Sequence, residues 1–356
     1  MTELLSLAFK ALSMKRWNNR PVLEVATEAS NVLFSLIARL ILEGRLRAEL
    51  LNSMEFILLR VLPKCVLSDI SYDTKELILK EDPEKWKEVY ESAVREVLNI
   101  SPKPFRNKLS ILLDDEGEMN ELNAIASLAA AEVEARTNFL FFPDYYIEVK
   151  ETIERLKQRL LKPQIRGLYN TTVEVLMLLR PMVYAQRWNM HYRHLKTTVA
   201  DHSFFVVFTA YLIAVWRNLD ELNVLDVLVR SMFHDVPEAF TGDIISPTKR
   251  RVEGFERIVE RVERRVVSEK LLPLLPEGLK DPVTEASLNP FDGLNGKIVR
   301  AADLIGSIVE CTFELETGNM QRVFSIAKEH LVEELKSLGI EEATIVSNNL
   351  GSLLGR

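Results

Sequence analysis

The sequence predicts an all-α protein built from two similar helical halves, and three observations carry that reading. Apolar residues recur at helical spacing in "VLFSLIARLILEG", "ELNAIASLAAAEVEA", "YIEVKETIERLKQRLL", "SFFVVFTAYLIAVW" and "KIVRAADLIGSIVECTFEL". Valine-rich alternation bounded by turn dipeptides, the mark of strands, is scarce. Finally, three stretches from the first part of the chain reappear, in the same order, in the second.

Taken along the chain, the start "MTELLSLAFKALSMKRW" lacks the charged opening, apolar middle and cleavage site of a signal peptide. A break falls near Lys162-Pro163 to Gly167, after one long charged helix and before another helical stretch. It divides the chain into residues 1–163 and 164–356. Across that break "KRWNNRPVLEVATEASNVLFSLIARLI" resembles "QRWNMHYRHLKTTVADHSFFVVFTAYLI". Likewise "RVLPKCVLSDISYDTK" matches "HDVPEAFTGDIISPTK", and "NAIASLAAAEVEART" lies over "DLIGSIVECTFELET". Internal duplication is the expectation. In that alignment His202 faces Ala29, His234 faces Arg60, Asp235 faces Val61, Glu238 faces Lys64 and Asp303 faces Asn123.

Composition bounds the function. The 356 residues are 47% hydrophobic and 27% charged, which suits a globular chain large enough for two domains. A net charge of −7 supplies no global basic field, so no DNA or RNA partner is expected. The apolar run Phe204 to Trp216 is too short to span a bilayer, so no membrane partner is expected. Cys65 and Cys311 form no CxxC pair, and two ordinary thiols in a reduced cytoplasm are the expectation.

The chemistry concentrates in "SMFHDVPEAFTGD", where an apolar lead-in runs into a histidine, two aspartates and a glutamate. Ionised carboxylates are costly to bury unless a cation or hydrogen-bond donors meet them. His202, His234, Asp235 and Asp303 form the series H…HD…D on three helical segments that a fold can bring to one point. Two imidazoles and two carboxylates suit a divalent transition ion, Co, Mn, Fe, Ni or Zn, better than Mg²⁺ or Ca²⁺. Water completing such a shell has a lowered pKa and becomes a usable nucleophile. Glu238 follows His234 by one helical turn and can look into the same pocket. Pro237 suits the start of a turn, and Thr241-Gly242 a sharp bend that exposes Asp243.

The H…HD…D order resembles the HD-domain metal-dependent phosphohydrolases. The wider set, "QRWN", "ADHSF", "FHDVPEAFTGDIISPTK" and "RAADL", resembles the YfbR-type 5′-deoxynucleotidases from about Leu176 to Glu334. That resemblance implies tandem HD-like helical bundles, the second carrying the metal site and the first degenerate. It implies His202, His234, Asp235 and Asp303 as metal ligands, and Glu238 as the group that positions or protonates near the phosphoryl centre. It places Asp243 at the sugar 3′-hydroxyl, and puts Arg187 and Trp188 at the nucleotide, with Trp188 crowding a ribose 2′-hydroxyl. The activity it implies is hydrolysis of nucleoside 5′-monophosphates, deoxynucleotides preferred, by a cytoplasmic monomer or homodimer. The alternatives are a phosphohydrolase of another nucleotide or small phosphomonoester, or a metal-binding nucleotide sensor or scaffold with little turnover.

Several features have plainer readings beside these. Asp292 competes with Asp303 as fourth ligand, but "NPFDGLNG" reads as a turn. Arg187-Trp188 also reads as a packed cation–π pair, since Arg16-Trp17-Asn18 repeats it without ligands nearby. His191 and His194 read as a surface loop before they read as a second metal site. Lys249, Arg250, Arg251, Arg193 and Lys196 would add local positive field in an acidic chain.

Overall fold

The helical periodicity is realised along the whole chain. In the computed structural model, the described residues form helices and only two isolated β-bridges, Lys15 with Thr27 and Gln186 with Thr198. The described residues are all but 24, 69, 115–119, 243, 245–247, 249–250 and 351–356. The first half carries α1 Thr2–Phe9, α2 Glu28–Glu43, α3 Glu49–Leu59, α4 Val61–Leu67, α5 Tyr72–Glu81, α6 Pro83–Ile100, α7 Lys103–Asp114, α8 Glu121–Phe141 and α9 Pro143–Leu160. The second carries α10 Pro163–Leu179, α11 Val199–Trp216, α12 Glu221–Phe233, α13 Glu238–Thr241, α14 Phe255–Val266, α15 Glu277–Leu288, α16 Gly293–Glu316, α17 Arg322–Ser337 and α18 Glu341–Asn348.

Local chemistry sets the starts of these helices. Proline opens α6, α9 and α10, where its missing N–H leaves nothing unsatisfied. Thr27 caps α2 in a reciprocal box with Ser30, and Thr198 caps α11 in the same box with Asp201.

The apolar pattern of α11 has no polar side, and the helix is buried from Val199 to Ala214. By length and composition this helix is long and apolar enough to cross a membrane, although the run from Phe204 alone is not. Protein covers it instead, 89% of that span being buried inside the fold. α2 packs on α8, α11 packs on α12 and α16, and α2 and α11 pack on each other. α10 lies on α2 and α8 of the first half, while α1 touches α11 of the second. A single contiguous apolar core results, so Pro163 marks a break in sequence and not a gap between two cores. At about 1.5–3 kcal/mol per fully buried large aliphatic side chain, that shared core is the main force holding the halves together.

The halves repeat local details as well as helix order. Each has an Arg-Trp-Asn loop closed by a bridge, a tryptophan at positive φ (Trp17, 57°; Trp188, 56°) and the capped helix that follows. The caps correct the residue pairing read from sequence. Thr27 matches Thr198 and Ser30 matches Asp201, which puts Asn31, not Ala29, opposite His202. Arg16 and Trp17 bond Glu134 as Arg187 and Trp188 bond Glu310, which puts Ser127, not Asn123, opposite Asp303. The second shift, Asn123 to Ser127, is one helical turn along alanine-rich α8, where apolar spacing alone does not fix the register.

Candidate metal centre

Each candidate ligand is delivered by a helix whose local sequence fixes its place. His202 stands in the first turns of α11, just after the Thr198 cap. His234 is the C-cap of α12, so the chain turns there and presents His234 and Asp235 together. Asp303 projects from the middle of α16. Gly306, one turn further on, makes room for the imidazole: a Cβ there would stand 2.9 Å from His202 Cε1.

His202, His234 and Asp303 converge, with one donor atom of each lying within 4.8 Å of the others. His202 Nε2 is 3.0 Å from Asp303 Oδ1. His234 Nδ1 lies 2.8 Å from the Ser231 carbonyl oxygen, which only accepts, so Nδ1 carries a proton. In the neutral ring that leaves the Nε2 lone pair for a ligand. Asp235 Oδ2 stands 3.2 Å from His234 Nε2, and among the described residues neither buried atom has a hydrogen-bond partner beyond the other. An unmet buried polar atom costs about 1–3 kcal/mol, and a carboxylate more. Two such atoms side by side, next to a second imidazole and carboxylate, fit a divalent cation. The residues present therefore suit the ion that the spacing predicts.

The charges agree. Burial opposes ionisation of Asp303, but its bond to His202 and the Arg300 guanidinium hold its pKa far below the usual carboxylate range. Arg300 donates to Asp303 Oδ2 at 2.6 Å and also bonds Glu334. For Asp235, burial is likewise outweighed by His234, and its pKa is lowered. Burial works against charging His234, yet Asp235 and Asp303 raise its pKa above the ordinary value.

Arg187 and Trp188 face this group from the loop before α11. Arg187 Nη1 is 3.8 Å from Asp235 Oδ2, and Nη2 donates to Ser307 Oγ at 3.0 Å. Its Nε bonds Glu310 at 3.3 Å, and the Trp188 indole N–H bonds the same carboxylate oxygen at 2.9 Å. Thr197 donates to the other oxygen. Glu310 is buried, but Arg187 and Arg193 bring its pKa down to about 2. Glu238 opens α13 and lies near enough to Arg187 to help hold that side chain charged. Pro237 precedes it as the cap of α13, and Gly242 ends the turn at φ 72°.

Other expectations fare differently. Asp243 lies outside the described residues, as do Lys249 and Arg250. Asp292 is an exposed helix cap and takes no part in the cluster. Arg193 is not free positive field: it is buried against Glu314 and Thr197. His194 is exposed and bonds Thr317, while His191 packs beside Trp188 and Phe324. Glu310, Arg300, Ser307 and Gly306 escaped the sequence reading. A carboxylate two turns beyond Asp303 on the same helix was the available signal for Glu310.

Comparison with known proteins bears on this site. Residues 174–350 match the family model described as 5′-deoxynucleotidase YfbR-like. The 5′-deoxynucleotidase PM0747 of Pasteurella multocida (strain Pm70) is 33% identical over 161 residues, 44% of this chain and 81% of that protein. The chain belongs to the YfbR-like 5′-deoxynucleotidase family. A second member, the 5′-deoxynucleotidase of Vibrio cholerae, is 31% identical over 169 residues, covering 45% of this chain and 84% of its own length. An HD-domain phosphohydrolase from Listeria innocua overlays 51% of this chain and 89% of its own at 18% identity and a TM-score of 0.43. The family segment of this chain contains every residue gathered at the centre and none of the first half.

Proposed function

We propose that the second half hydrolyses the phosphomonoester of nucleoside 5′-monophosphates, with deoxynucleotides preferred. The observation that carries this is the pairing of the unmet His234 Nε2 and Asp235 Oδ2 with His202 and Asp303, directly beside the Arg187 guanidinium. An ion held by His202, His234, Asp235 and Asp303 supplies Lewis acidity toward a phosphate oxygen and toward water. Arg187 offsets negative charge on the phosphoryl oxygens as it moves between nucleophile and leaving group. Glu238 holds or delivers a proton at the attacking water or the departing 5′-oxygen. Trp188 walls the sugar and disfavours a 2′-hydroxyl, and Asp243 receives the 3′-hydroxyl.

We further read the chain as two copies of one unit, residues 1–163 and 164–356, of which the first has lost its ligands and serves as a structural partner. The repeated helix order, loops, caps and Arg-Trp-Glu contacts support that reading. The protein so understood acts on small molecules in the cytoplasm as a monomer or homodimer.

The test is phosphate release from ribo- and deoxynucleoside 5′-monophosphates by metal-stripped protein resupplied with Co²⁺, Mn²⁺, Mg²⁺ or Zn²⁺. Metal-dependent release favouring deoxy substrates supports the proposal. No release from a stoichiometrically metal-loaded protein would overturn it in favour of a nucleotide sensor.

A further inference from the structure

We propose that Glu310 is the positioning residue of substrate recognition: it aims Arg187 and Trp188 together and so sets the preference among nucleotides. This rests on the nucleotidase reading of the site. Two consecutive residues, Arg187 and Trp188, both donate to the same oxygen, Glu310 Oε2, at 3.3 and 2.9 Å. The other oxygen accepts from Thr197 and lies 3.7 Å from Arg193 Nη1. With 3% of its side chain exposed, Glu310 is out of reach of solvent and of any substrate. It acts through its partners.

The first half reveals what that arrangement achieves. Glu134 grips Arg16 and Trp17 in the same manner, at 2.8 and 3.0 Å. There, however, Glu28 takes the outer edge of the guanidinium, bonding Arg16 Nη1 at 2.8 Å. By the cap register, Val199 occupies the Glu28 position in the second half. Among the described residues no carboxylate hydrogen-bonds Arg187 Nη1, which instead lies 3.8 Å from Asp235 Oδ2 at the candidate metal-binding group. Glu310 thus holds the inner edge and leaves the outer edge toward the phosphate. The indole is pinned at both ends, by Glu310 at its N–H and by the Phe324 ring, whose centroid is 5.5 Å away. Without Glu310 the guanidinium is free to collapse onto Asp235 and Glu238, and the indole to swing away from the sugar.

The experiment uses the metal-loaded full chain and compares wild type with Glu310→Gln for metal content, melting temperature, and kcat and KM on matched deoxy- and ribonucleoside 5′-monophosphates. Expected are stoichiometric metal, a KM raised by about tenfold to a hundredfold, and a deoxy-to-ribo ratio of kcat/KM falling toward one. Unchanged KM and ratio in a folded, loaded variant would overturn the proposal. So would loss of the metal, which would assign Glu310 to the ion and not to recognition. Should Glu310→Gln not fold, Glu310→Asp, which keeps the charge and shortens the reach, is read by the same two outcomes. If wild type hydrolyses none of the panel, the nucleotidase reading fails alone. Calorimetric binding of the same nucleotides then decides: weaker and less selective binding to the variant supports positioning, and equal binding overturns it.

Discussion

The two halves build the same corner of the fold around opposite solutions to one electrostatic problem. In the first, Arg16 and Lys64 meet Glu28 and Glu134, and Asn31 donates to Glu134 at 3.0 Å. Two cations answer two carboxylates, and the corner is closed. In the second, Asp235, Glu238, Asp303 and Glu310 gather about Arg187 and Arg300, with Arg193 shared between Glu310 and Glu314. Negative charge is in excess there, and among the described residues His234 Nε2 and Asp235 Oδ2 have no hydrogen-bond partner beyond each other. The difference separates a carboxylate cluster matched by its own cations from one whose donor set suits a divalent ion.

The comparison breaks most sharply at His234. His234→Ala is expected to abolish metal-dependent phosphate release, whereas Arg60→Ala at the matching position leaves it intact. Since even outer-shell partners of a metal cost 10–100-fold, roughly 10²-fold is the least loss expected for the ligand itself. Elemental analysis and turnover read both effects.

Next come the two arginines, which only turnover separates. Arg187→Ala is expected to lower kcat/KM by about 10²–10³-fold and, because it removes a cation from buried Glu310, to lower the melting temperature as well. Arg16→Ala leaves Glu134 with only the neutral donors Trp17 and Asn31, and Glu28 with Lys64 alone, and is expected to cost about 3 kcal/mol of stability. Turnover per folded molecule stays as in wild type. Urea unfolding alongside steady-state kinetics distinguishes the two.

Arg300→Gln removes the donor that fixes Asp303 Oδ2 and is expected to weaken metal binding by roughly 10–100-fold, measured by competition with a chelating dye. Acid has a related and smaller effect. The folded pKa of His234 is raised, so in metal-free protein its contribution to stability is full below about 6.5 and is lost as pH rises through the folded value. The metal takes the neutral ring, so binding must expel that proton. Apparent affinity is expected to fall by about tenfold per pH unit below the folded value. Calorimetry in buffers of different ionisation enthalpy detects the released proton.

The smallest contrast lies at Gly306 and its counterpart Ala130. Ala130→Gly is expected to cost only about 1 kcal/mol of helix stability. Gly306→Ala improves helix propensity but presses on His202, and is expected to loosen metal binding while leaving the fold stable.

Much of this was legible in the sequence because its signals are local. Helical periodicity announced α2, α8, α11 and α16, and the spacing of His234, Asp235 and Glu238 already placed three side chains at one turn. The convergence of His202, His234 and Asp303 was legible too, because three distinct patterned helices had to supply them. What stayed hidden depends on register and on distant partners. Nothing local pairs Glu310 with Arg187, or Arg300 with Glu334, and alanine-rich α8 offers no landmark to say that Ser127 stands where Asp303 does. Arg193 looked like free charge because its partner, Glu314, lies more than a hundred residues away.

One feature of the seam between the halves reaches further. The hydroxyl of Thr27, itself the cap of α2, donates to Asp201, the residue just before His202. The stretch recognisable as the family begins at residue 174, so it omits Thr27, α2 and everything else that covers this face of α11. The family segment is thus smaller than the apolar core in which it sits. Cut at the family boundary, the chain would keep every candidate ligand and lose the wall behind them.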